Sequence, residues 1–195
     1  MIRKILILFT ITLTSISVYA INAKNFYRQD TVKTVDFVDL EKYTGKWYEI
    51  ARYPNKFQKQ CVKNVTATYK LKDDKDLEVV NECVKKNGKT DKATGEGKIV
   101  DKESNAKLEV RFAPGYLSFL PQVWGDYWII DLEENYQYAV VGDPDREYLW
   151  VLSRTPEMDS ETYKTIQEKV KKMGFNPHKL IKTLQTSEEI KADEK

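Results

Sequence analysis

Side chains that do chemistry are scarce in this sequence. There is one histidine, His178, and there are two cysteines, Cys61 and Cys83. A zinc site needs three or four such ligands, so no metal is expected. His178 stands beside Pro177, past the last periodic segment, where a surface role suffices. No Gly-x-Ser-x-Gly elbow and no phosphate-cradling glycine loop occurs. Glu49 and Glu78 fall on separate runs, and nothing pairs two carboxylates for acid–base work. These absences point away from an enzyme, and no cofactor is expected. A basic patch interleaved with stacking aromatics is also missing, so no nucleic-acid partner is expected. Long apolar runs are absent beyond the N-terminus.

That N-terminal run has its own layout. "MIRKILILFTITLTSISVYA" begins with Arg3 and Lys4, continues with an apolar stretch from Ile5 to Leu13 and exits through Val18-Tyr19-Ala20. This is the pattern of a signal peptide cut after Ala20, and the stretch is too short and threonine-rich for a good membrane span. It contains no cysteine for lipid attachment, so the expectation is a soluble exported protein. The chain has 32 basic and 30 acidic residues; the segment removes two basic residues and no acid, leaving 30 against 30. Interspersed charges of both signs describe a solvated surface. Export into an oxidising space favours one disulfide between Cys61 and Cys83, with two buried thiols as the alternative.

What the chain does have is aromatics, with 12 Tyr, 7 Phe and 4 Trp, many in short alternating runs. Eight strand-like runs follow a lead-in over 21–35 and a short turn that Asp39 can cap. They are 46–53, 64–71, 76–84, 90–100, 106–112, 126–132, 136–141 and 147–153. Asn87-Gly88 marks a hairpin, and Gly95 with Gly97 a bulge or bend. Residues 113–125, "APGYLSFLPQVWG", form an apolar loop expected to fold over something. From Pro156 the period changes: Tyr163, Ile166, Val170 and Met173 lie on one helical face, early acids and late lysines suit the dipole, and Gly174 stops the helix. "FNPHKLIKTLQ" suggests one short strand or an arm, and 186–195 a disordered tail.

Short links between strands favour antiparallel neighbours. The fold expected is all-β: an eight-stranded antiparallel up-and-down barrel over 36–185, with one C-terminal helix packed outside. A barrel that holds a ligand must be shut at one end. Trp47, at the start of the first strand, is a plug, and Gly45 lets the entering chain turn without a Cβ clash. Arg154 ends the eighth strand, adjacent to the first, where its guanidinium can lie on the indole.

Gly45-x-Trp47, "YQYAVV" and the closing arginine resemble the three short signatures of the lipocalins. "WYEIARYPNKF", "VTATY" and "GDPDREYLWVLSRTP" look like the bacterial lipocalin, plant temperature-induced lipocalin and apolipoprotein D branch, over roughly 36–183. The resemblance implies a small hydrophobic ligand, a fatty acid or lysophospholipid, for lipid transport, storage or membrane maintenance. It also suggests peripheral membrane contact and a monomer or weak dimer. Many bacterial members are outer-membrane lipoproteins; this chain departs there for want of the acylated cysteine, leaving a periplasmic, outer-membrane-associated or secreted location.

With Trp47 and Arg154 at the closed end, the mouth falls to 54–63, 85–90, 113–125 and 142–147. Parity turns Tyr148, Trp150 and Leu152 inward. Tyr69, Val79, Asn81, Val110, Phe112 and Tyr127 are the candidate lining on neighbouring strands, and by resemblance Trp150, Asn81 and Tyr69 touch ligand. Arg52, Lys56, Arg111 and Arg146 are candidates for an anionic headgroup, with exposed surface charge as the plainer role. Two other readings remain: a lipocalin-fold enzyme using an inward Cys83, and a carrier of a tetrapyrrole or pigment.

Overall fold

The computed structural model describes residues 31–72 and 76–186. The expected signal segment, most of the lead-in and all of the expected tail except Thr186 lie outside the described residues.

A single-turn helix, α1 (Leu40–Tyr43), leads into the first strand. Asp39 Oδ1 accepts from the backbone N–H of Glu41 at 3.0 Å and of Lys42 at 3.3 Å, which caps it. Eight strands follow: β1 (Gly45–Arg52), β2 (Cys61–Leu71), β3 (Leu77–Lys85), β4 (Thr90–Ile99), β5 (Lys107–Arg111), β6 (Gly125–Leu132), β7 (Tyr138–Gly142) and β8 (Leu149–Ser153). Each pairs antiparallel with the next, and β8 returns to β1. Pairing of β1 with β2, from Gly45↔Tyr69 to Tyr48↔Thr66, closes the barrel.

That closing seam is incomplete, because β1 and β2 part beyond Tyr48. The C-terminal arm fills the split. β9 (Ile181–Lys182) pairs with Ala51 and Arg52. Thr183 N–H donates to Ile50 O at 2.9 Å, and Asn64 N–H donates to Leu184 O at 2.8 Å. Thr186 N–H donates to Asn64 Oδ1 at 2.7 Å. The arm thus satisfies backbone groups on both strands that would otherwise face water as open edges.

The helix α2 (Ser160–Lys172) lies outside. Asp159 caps it through Thr162 N–H at 2.8 Å, and Gly174 ends it at φ +87°. Tyr163, Ile166 and Val170 bury against Val140, Leu149 and Val151, with Ile50, Ala51, Ile130 and Phe175, in a core between helix and barrel. Lys169 Nζ reaches Asp131 Oδ2 at 2.9 Å and Tyr138 Oη at 2.9 Å, which fixes the helix in register. A second core fills the barrel's closed end around Trp47, Leu77, Leu108, Ile129, Val141 and Leu152.

Three local expectations need correcting. β3 and β4 pair from Leu77↔Gly97 to Val84↔Thr90 with no shift of register, so Gly95 makes no bulge in that ladder. It is needed for close approach: a Cβ there would lie 2.7 Å from the Phe112 ring. The loop between β5 and β6 folds into two 3₁₀ turns and borders the cavity through Ala113 and Gln122–Trp124, but its Tyr116 and Phe119 are about three-quarters exposed rather than folded down. Arg52 and Arg111 are buried rather than surface charges. Each is covered by a neighbouring aromatic or acid that alternation along one strand cannot show.

Candidate functional site

The closed end is built first. Gly45 sits at φ +91°, a conformation side chains resist, and a Cβ there would lie 3.4 Å from Arg154 Nη1. Arg154 lies on the indole of Trp47, its guanidinium carbon 3.7 Å from the ring centroid. Its N–H groups donate to Lys46 O at 2.9 Å and Lys42 O at 2.6 Å. Trp47 Nε1–H donates to Tyr43 O at 2.8 Å, and no part of the indole reaches solvent. Above it three phenols meet. Tyr127 Oη lies 2.7 Å from both Tyr43 Oη and Tyr69 Oη. Burial raises all three acidities' pKa, Tyr69 to about 12 and Tyr43 and Tyr127 well above the ordinary 10.

Above this floor the barrel is hollow. A cavity of about 740 Å³ opens at the far end, a size suited to one small ligand. The nine residues expected to line it all border it. Tyr69 and Tyr127 stand lowest, beside the core at the closed end. Val79 and Asn81 line it from β3, and Val110 borders it from β5 with Phe112 just beyond that strand. Tyr148, Trp150 and Leu152 come from the eighth run, Tyr148 just before β8 itself. Tyr148 and Trp150 stack at 5.8 Å with planes 7° apart, and Phe57 extends the row toward solvent, 5.8 Å from Tyr148.

One wall holds a polar network not named from the sequence, whose partners come from separate segments of the chain. Glu49 is 2% exposed. Its Oε2 accepts from Gln58 Nε2 at 2.6 Å, and its Oε1 accepts from the Thr183 hydroxyl. Gln58 Oε1 accepts in turn from Trp150 Nε1–H at 2.9 Å and Asn55 Nδ2–H at 2.8 Å. Arg52 Nε lies 3.6 Å from Glu49 Oε1. Burial holds the Glu49 carboxyl above its ordinary value of 4.5, while Thr183, Gln58 and Arg52 pull it back. The network ties the first loop, the C-terminal arm and Trp150 into one wall. A signal was available: Glu49 lies two residues after the inward Trp47, so parity turns it inward too.

The remaining candidates have other work. Arg111 bonds Glu96 and Ala113 O and lies 5.0 Å from the Trp124 ring centroid. Arg146 Nε–H donates to Met173 O at 2.9 Å, near the end of α2. Lys56 alone of the four cations borders the cavity. Cys61 and Cys83 are bridged, with Cα atoms 5.6 Å apart, and both border the cavity near its mouth. The bridge takes both cysteines of the sequence, so an inward Cys83 has no thiol to offer as a nucleophile. Among the described residues no cluster of three metal-ligating side chains occurs.

Comparisons with known proteins agree with this geometry. A family model described as a lipocalin-like domain matches residues 38–185. The chain is 41% identical over 157 residues to temperature-induced lipocalin-1 of Arabidopsis thaliana, covering 80% of this chain and 83% of that one. It is 36% identical over 151 residues to the outer membrane lipoprotein Blc of Escherichia coli K12, covering 77% and 81%. Apolipoprotein D of Mus musculus is 30% identical over 158 residues, covering 76% and 78%. Among solved structures, insecticyanin of Manduca sexta superposes with a TM-score of 0.64 at 24% identity, covering 81% of this chain and 86% of that one, which speaks for the fold alone.

Proposed function

The chain belongs to the lipocalin-like family, whose members bind small hydrophobic ligands, and we propose that its cavity carries a fatty acid or lysophospholipid in an exported protein. The observation that supports this most is the cavity itself: hollow above a sealed floor, walled by Val79, Val110, Leu152 and the Tyr148–Trp150 stack, and open at one end. Each buried CH₂ contributes about 0.8 kcal/mol, so an acyl chain binds there by area, without specific contacts. Lys56 at the mouth suits an anionic headgroup. Calorimetric titration with hexadecanoic acid and with lysophosphatidylcholine is expected to give one site per chain for at least one of them. Ala67→Trp, which fills the cavity from β2, is expected to abolish it. No heat with either lipid contradicts the reading.

A membrane source for the lipid is supported by the mouth. Phe57 is exposed at the mouth, and Tyr116 and Phe119 are exposed on the adjoining loop, whose Gln122–Trp124 border the cavity. Such an apolar rim suits the interfacial zone of a bilayer. Co-sedimentation with lipid vesicles is expected to fall when Tyr116 and Phe119 are changed to Ser; unchanged sedimentation removes the loop from the contact.

A further inference from the structure

The floor of the cavity holds one hydroxyl proton too many. Tyr43, Tyr69 and Tyr127 bring three O–H donors, but only two oxygen–oxygen contacts join them, each 2.7 Å. One contact consumes one proton. No other acceptor among the described residues is hydrogen-bonded to the three. Whichever way the chain of hydroxyls runs, one proton is left over.

Where that proton sits follows from which of the three residues border the cavity. If Tyr69 donates to Tyr127 and Tyr127 to Tyr43, the surplus proton belongs to Tyr43, which packs on Trp47 at 5.1 Å and does not border the cavity. A donor left unmade there costs about 1–3 kcal/mol. The other arrangements leave it on Tyr69 or Tyr127, which both border the cavity, where an incoming group can accept it. Burial keeps all three phenols protonated at neutral pH, so the donor persists. A water can meet it in the open cavity, but an apolar tail that displaces the water cannot. A carboxylate pushed to this depth would exchange its hydration for a single free donor, a poor return for a buried charge.

We propose that the floor of the cavity, at Tyr69 and Tyr127, is a polar subsite for a neutral oxygen acceptor, a carbonyl or hydroxyl, on the buried end of an apolar ligand. This rests on the cavity being a ligand site, and it adds a selectivity that burial of apolar area lacks: ligands that differ only in the oxygen at the leading end are told apart.

The test is a thermodynamic cycle. Hexadecanoic acid is compared with 16-hydroxyhexadecanoic acid, and decalin with 2-decalone, in the native protein and in Tyr69→Phe/Tyr127→Phe. Comparing each ratio of affinities between the two proteins cancels the ligands' different solubilities. The native protein is expected to favour the oxygenated member of a pair by about fivefold more than the variant does, the worth of one net hydrogen bond. Equal ratios in both proteins overturn the proposal. If neither acid binds while the decalin pair does, the acyl reading falls and the floor is judged on the decalin pair alone. A protein that takes none of the four ligands sinks both. If the double variant does not fold, the infrared carbonyl stretch of 2-decalone bound to the native protein decides: a shift below its value in cyclohexane supports the hydrogen bond, and an unshifted band overturns it.

Discussion

The two ends of the barrel are made from the same strands and differ in what their inward residues do. At the closed end Trp47, Leu77, Leu108 and Ile129 interdigitate without reaching solvent, and Arg154 ties the indole to α1. Toward the mouth the inward residues stand apart around a cavity, and order comes from tethers: a disulfide, the Glu49–Gln58–Trp150 network and the C-terminal arm. One end supplies stability through packing, and the other keeps empty space by being held from outside. The hollow end is tethered from outside rather than filled from within.

Substitutions can break that division. The largest loss of stability is expected at the floor: Trp47→Ala should cost about 3–5 kcal/mol in urea denaturation, as for other buried aromatics. A loss below 1 kcal/mol would mean that the floor is not what holds the barrel. Next come the tethers. Replacing Cys61 and Cys83 by Ser opens a link between residues 22 apart in sequence, which should cost about 3 kcal/mol. An unchanged denaturation midpoint would show the mouth holding itself. Trp150→Arg should leave most of the stability in place and lower fatty-acid affinity at least about tenfold, since it removes apolar wall and brings in a charge. Unchanged affinity would remove Trp150 from the site.

The smallest effect is a pH dependence. The folded protein holds the Glu49 proton more tightly than the unfolded chain does, because burial raises that carboxyl above 4.5. Below 4.5 both states are protonated and the contribution is whole. It is lost as pH rises from there through the raised value. Glu49→Gln should flatten that part of the stability–pH curve, and a native-like slope in the variant would assign it to another group.

Much of this was legible in the sequence because period and punctuation are local. Alternation in "NVTATYKL", the turn at Asn87-Gly88 and the switch to helical spacing at Tyr163, Ile166 and Val170 each need only a few neighbours. The floor was legible because chain order makes the first and last barrel strands adjacent, which brings Trp47 and Arg154 together. What stayed hidden depends on breaks in alternation or on distant partners. The pairing of β1 with β8 shifts between Glu49 and Ala51. Ile50, Ala51 and Tyr53 therefore all join the outer core under α2. Arg52 is covered by Glu49, 3.6 Å away. Thr183 reaches Glu49 only because β1 and β2 part, and no local pattern announces a seam that opens.

The most direct measurement of a tethered, ligand-holding hollow is an anomalous difference map from crystals of the protein grown with a brominated hexadecanoic acid. The account predicts a bromine peak inside the barrel, between the Asn81 wall and the Tyr148–Trp150 stack. An interior closed up by its own side chains, with bromine absent or only on the outer surface, would contradict it.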